Sequence, residues 1–155
     1  MNFSELISIN RIATNVECAS KKRTLEILSQ LICDDCDNIN QNDVFDSLIA
    51  RERLGSTALG KGIAIPHGRL KSGGGETRAA FVQLKEGIDF DAPDGAPVDL
   101  LCALSIPEEC SDEHLQVLAY LSEKFSNDSV RGKLRNAQDP QEILDVLNAP
   151  IDSDA

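Results

Sequence analysis

A chain of 155 residues with 41 % apolar and 26 % charged residues has the make-up of one globular domain, large enough for a single core without disulfide staples. Its formal net charge of −11 disfavours nucleic acid, whose binders gain affinity from lysines and arginines that displace counterions, and favours a protein partner with a basic contact face. No apolar run approaches the roughly 20 residues that cross a bilayer, and the opening MNFSELISIN lacks the basic-then-apolar order of a secretion signal, so a cytoplasmic protein without a membrane span is expected.

The first predicted helix runs from Ser20 to about Cys36, with Leu25, Leu28, Leu31 and Ile32 three and four apart and Ser20 as its cap. A second, capped by Asn40 or Asn42, runs to about Arg53 with Val44, Phe45, Leu48 and Ile49 on its apolar side, and Gly55 stops it. A glycine-rich loop, a short extended piece Ile63–Ile65 and a second loop over 71–76 follow. Ala79–Leu84 reads as a buried strand. Val98–Ile106, apolar almost throughout and preceded by the turn formers of Asp91–Pro97, reads as a central strand covered on both faces. Ser111 or Asp112 caps a long helix to about Phe125, with Leu115, Leu118, Leu121 and Phe125 inward. Two short helices close the chain, one over about Ser129–Asn136 and one with Asp139 as cap and Pro140 in first position, and residues 150–155 form a frayed tail. Helices and strands alternating in this way predict an α/β fold: a single domain over residues 1–155, with a small mixed β-sheet flanked by helices.

The stretch GSTALGKGIAIPHGR, Gly55–Arg69, carries the chemistry. Its start fits a nucleotide phosphate loop, but Gly62 stands where Ser or Thr must hold magnesium, and Ile63–Pro66 is extended where a helix must begin. His67 lies between a proline that fixes the chain and a glycine that clears space. The upstream Gly55, Gly60 and Gly62 have the freedom to turn backbone N–H groups toward one point, in a phosphate loop that also contains Ser56 and Thr57. A neutral imidazole in such a setting is a nucleophile toward phosphorus. The other histidine, His114, falls in the first turn of the long helix, where it can hydrogen-bond a neighbour. Arg51 and Arg53 end the second helix, and a guanidinium there matches phosphate oxygens on a rigid platform, so one of the two is expected to reach the phosphate.

Five irregularly spaced cysteines fit a reducing compartment. Cys33-Asp34-Asp35-Cys36 has redox or half-zinc spacing. Its acidic neighbours near a helix C-terminus raise thiol pKa, and no second pair completes a zinc set, so neither metal nor cofactor is expected. The turn-rich setting of Asp89, Asp91, Asp94 and Asp99 accounts for most of them.

GSTALGKGIAIPHGR followed by FDAPDGAPVDLLCALSIP resembles the IIA components of the bacterial phosphotransferase system, in their nitrogen-regulatory branch within the mannitol and fructose IIA superfamily, over about Ser4–Ala149. The resemblance implies one α/β domain. It implies that His67 accepts a phosphoryl group from an HPr-like carrier (NPr in this branch), that His114 is the second active-site histidine, and that Arg51, the arginine of the R-E pair before G-S-T, faces the phosphate. Target proteins in potassium transport or sensing are implied as partners. Lys61 stands where relatives often carry Asn, and Ala58 where they often carry Gly. Two readings compete: a sugar-transport IIA component passing phosphate to a IIB domain, and a binding module without phosphotransfer.

Overall fold

The computed structural model of the chain describes residues 2–36, 38–71, 76–109 and 112–150. Met1, Asp37, residues 72–75, Cys110, Ser111 and residues 151–155 lie outside the described residues, and with them most of the expected second loop, the Ser111 cap and the expected frayed tail.

Helix α1, Lys21–Cys33, begins where the Ser20 side chain accepts the N–H of Arg23, and α2, Gln41–Glu52, where Asn40 accepts those of Asn42 and Asp43. Satisfying these otherwise orphaned donors sets both starts. Helices α3 (Glu113–Phe125), α4 (Asp128–Asn136) and α5 (Pro140–Asn148) follow, with Asn127 capping α4 and Asp139 capping α5 ahead of its proline. The expected long helix differs on its inward face: Val117, Leu121 and Phe125 are buried, while Leu115 is 60 % exposed. The apolar stripe runs through 117, 121 and 125 and leaves Leu115 off it.

The sheet has six strands in the order β1-β5-β6-β3-β2, with β4 also on β6. These are β1 (Ile12–Val16), β2 (Ala58–Gly60), β3 (Ile63–Ala64), β4 (His67–Leu70), β5 (Arg78–Ile88) and β6 (Val98–Pro107). It is mixed: β5 and β6 are antiparallel, while β3 and β4 run parallel to β6. β3 and β4 form one extended path beside β6 that is broken at Pro66, which has no N–H to give but whose carbonyl accepts from Leu104.

Alternate residues of β5 and β6 serve two cores. Ala79, Phe81, Leu100, Cys102, Leu104 and Ile106 join Val117, Leu121 and Phe125 of α3 and residues of α4 and α5. Ala80, Val82, Leu101 and Ala103 join Leu25, Leu28, Ile32, Val44 and Leu48 of α1 and α2. β6 is therefore covered on both faces, as its continuous apolar run predicts. Strand alternation also settles the site strand. Ile63 and Ile65 point to the first core, Ala64 and Leu70 to the second. A Cβ on Gly68 would meet Ser47 of α2. His67 and Arg69 thus share the α3 side of the edge strand, and Gly68 lets α2 lie directly against its other side.

Candidate functional site

Ser47 and Arg51 are one helical turn apart, on the same face of α2, so the close approach at Gly68 brings the helix end and Arg51 to His67. Arg51 Nη1 donates to Gly55 O at 2.8 Å, which orients the guanidinium across the mouth of the loop. On the next residue, the buried Glu52 carboxylate accepts the N–H of Thr57 at 3.2 Å and its hydroxyl as well, and pairs with Lys21 Nζ at 3.0 Å. Thr57 O in turn accepts the N–H of Ile65, so a short chain of bonds runs from the helix end to the residue two before His67.

His67 Nδ1 lies 2.9 Å from Ile65 O. A carbonyl only accepts, so Nδ1 carries the proton, and in the neutral ring the lone pair is on Nε2. The ring is half-buried. Burial pushes its pKa below the ordinary value; the bond to Ile65 and the charge of Glu52 act the other way, while Arg51 and His114 add to the lowering. The result is a neutral, fixed imidazole with one nitrogen available.

Two residues along the same strand and on the same side, Arg69 donates from Nη2 to His114 Nε2 at 3.0 Å. His67, His114 and Arg51, named from the sequence, thus come together electrostatically, and Arg69 joins them. Arg69 is the residue that sequence reading passed over. The signal was present in the i, i+2 spacing from His67, but it speaks only once Arg69 is known to lie on a strand. Glu52 was passed over too, because a carboxylate at a helix end reads as surface.

The glycine loop divides. Gly55, Ser56 and Thr57 lie at the His67 end, and the Ser56 hydroxyl donates to Phe90 O at 2.7 Å while accepting the N–H of Ala58. Gly60 and Gly62, with φ of 95° and 83°, form the β2–β3 turn beside Asp94, Asp99 and Arg135. Ile63 is level with Leu100 and His67 with Leu104, which leaves Gly62 about 16 Å back along the strand direction. Within the loop the N–H of Gly55 donates to Glu52 O and that of Thr57 to the Glu52 carboxylate, while those of Ala58 and Lys61 bond Ser56 and Asp94. Positive charge is brought to His67 by the Arg51 side chain. No group of His, Cys, Asp or Glu suited to a metal ion occurs among the described residues.

The six-stranded mixed sheet between two helical layers and the site at its edge belong to a known class. Residues 5–149 match the family described as phosphoenolpyruvate-dependent sugar phosphotransferase system, EIIA 2, and the chain belongs to that family. Within it, a nitrogen regulatory protein of Pseudomonas aeruginosa is 38 % identical over 147 residues, 95 % of each chain. A fructose-specific EIIA component of Haloferax volcanii is 34 % identical over 94 % of each. The crystal structure of nitrogen regulatory protein IIA-Ntr from Neisseria meningitidis superposes with a TM-score of 0.88 at 41 % identity, covering 94 % of this chain and 98 % of that one. The IIA mannitol structure from Escherichia coli, at 24 % identity and a TM-score of 0.77, shares the fold.

Proposed function

We propose that this chain is a phosphocarrier of the nitrogen-related phosphotransferase branch. It takes a phosphoryl group on Nε2 of His67 from an HPr-like donor of the NPr type and binds its target proteins according to whether it carries that group. One observation carries the reading: the Nδ1–H of His67 is tied to Ile65 O, so a neutral ring offers only its Nε2 lone pair, beside Arg51, Arg69 and His114.

In the transfer, the Nε2 lone pair forms the new N–P bond as the donor's N–P bond breaks, and the donor imidazole recovers its electron pair. His67 keeps its Nδ1 proton throughout. A loose transition state asks mainly for alignment and for cations on the equatorial oxygens, which Arg51 and Arg69 supply. Two added negative charges at a half-buried ring change which surface a partner meets: an apolar or acidic partner face is repelled, and one that carries arginines is attracted. The similarity to nitrogen regulatory proteins supports regulation as the output; potassium transport or sensor proteins as the targets are part of the proposal and rest on the sequence resemblance alone.

The test is incubation with phosphorylated NPr-type carrier followed by intact mass measurement. A gain of one acid-labile phosphoryl group, absent in His67→Ala, is expected. No gain in the native protein leaves a binding module in its place. The similarity to a fructose-specific component favours a second reading, passage of the phosphate to a IIB domain. Adding a fructose or mannitol IIB domain to the phosphorylated protein separates the two: retention of the label supports the regulatory role, and rapid loss to IIB the transport role.

A further inference from the structure

Cys33 ends α1, and Cys36 follows across a hydrogen-bonded turn in which the N–H of Cys36 donates to Cys33 O at 3.2 Å. Asp34 has φ −59° and ψ 138°, and Asp35 has φ 60°. This is a type II turn, whose ends lie within about 7 Å of each other, and a disulfide spans Cα atoms about 4.4–6.8 Å apart. Both thiols are half-buried at the edge of the second core.

Of the acidic neighbours that argue from sequence against thiol chemistry, Asp35 is ion-paired in the fold. Asp35 is held by Arg78 Nη2 at 2.8 Å and Arg11 Nη1 at 3.5 Å, and Arg78 also donates to the carbonyls of Ile32 and Asp34. The two arginines offset the charge of Asp35 beside the thiols. Burial still raises the Cys33 thiol above its ordinary pKa, with Arg78 pulling it back down. Of the other described cysteines, Cys18 sits apart and accepts a bond from the Thr24 hydroxyl, and Cys102 is sealed in the core.

We propose that Cys33 and Cys36 form a reversible disulfide across this turn by exchange with a small-molecule disulfide. One thiolate attacks a sulfur of the oxidant and expels the first thiolate of the small molecule. The second cysteine then attacks the mixed disulfide and expels the other. Two protein thiols lose their hydrogens, which end on two small-molecule thiols, so the cysteine sulfurs are oxidised and the small disulfide is reduced. Because the reacting species is the thiolate, the raised Cys33 makes exchange slow at neutral pH and faster in mild alkali.

The whole protein is treated with oxidised glutathione at pH 8, alkylated and digested with trypsin. No lysine or arginine lies between Arg23 and Arg51, so both cysteines fall in one peptide, residues 24–51. The expected result is that peptide two hydrogens lighter, unalkylated and restored by dithiothreitol. It is lost in Cys33→Ser and in Cys36→Ser, and kept in Cys18→Ser. A persistent glutathione adduct, a link from this peptide to any other, or two free alkylatable thiols after oxidation overturns the proposal. The readout is independent of phosphoryl transfer, so it stands or falls apart from the function of His67.

Discussion

The carboxylate of Glu52 takes both the main-chain N–H and the hydroxyl of Thr57, five residues on, and so fastens the end of the helix that carries Arg51 to the strand path that carries His67. With Lys21 on its other side, this buried group neighbours three elements at once. The site is thereby built on rigid supports and not on the loop itself.

Removing that fastening leaves buried donors without an acceptor. Glu52→Ala is expected to lower stability by about 2–4 kcal/mol, since it strands the Thr57 N–H and one partner of Lys21. Urea unfolding measures it; a loss below about 0.5 kcal/mol means the carboxylate is a bystander.

His67 makes folding pH-dependent. Its folded pKa lies below that of the unfolded chain, chiefly through burial, so between the two values the unfolded state holds more protons. Stability is full above the unfolded value of about 6.5 and is lost as pH falls from there through the folded pKa. Comparing unfolding midpoints of the native protein and His67→Asn across pH 7 to 5 should show the slope reduced in the variant, and parallel curves would contradict it.

Gly68→Ala would drive a Cβ to 2.7 Å from the carbonyl carbon of Ser47, a backbone atom that cannot step aside alone. Overpacking of this kind costs about 1–3 kcal/mol and should push α2 off the edge strand. Both thermal stability and acceptance of phosphate by His67 are expected to fall together. A variant with native Tm would show that α2 is not seated there.

Lys61 adopts φ 58° at the β2–β3 turn, a left-handed conformation that asparagine tolerates better than lysine. Its N–H bonds Asp94, and nothing in the turn uses its side chain. Lys61→Asn should raise stability by roughly 0.5–1 kcal/mol while leaving phosphate acceptance unchanged, because the turn is remote from His67. Chemical denaturation with a parallel transfer assay is the check.

Arg69→Ala tests the residue that only the strand revealed. Losing one charge-assisted donor beside the reacting oxygens is expected to slow phosphate acceptance roughly ten- to a hundredfold with little change in stability. A native rate would restrict the clamp to Arg51.

The helices were legible in advance because their signals are local. Ser20, Asn40 and Asp139 cap where their side chains meet the next two or three N–H groups, and the 3.6-residue stripe marks the buried side. The apolar run of β6 was equally plain. β1 was not, since Asn15, at φ 53°, breaks the alternation of Ile12–Val16 and its N–H is held by Gln83, 68 residues on. β2 and β4 are three and four residues long, too short for periodicity to register.

By itself the sequence picked out the candidate groups: a histidine after proline, a second histidine at a helix start, an arginine before the glycine loop, and the family they mark. Those are matters of residue type and order along the chain. Only the folded structure decided which loop residues lie near His67, that Arg69 faces the same way as His67, that Glu52 joins the helix to the strand, and which imidazole nitrogen is left open. Each of these depends on which atoms distant segments bring within about 3 Å, and hydrogen bonds at that range are set by packing across the sheet edge.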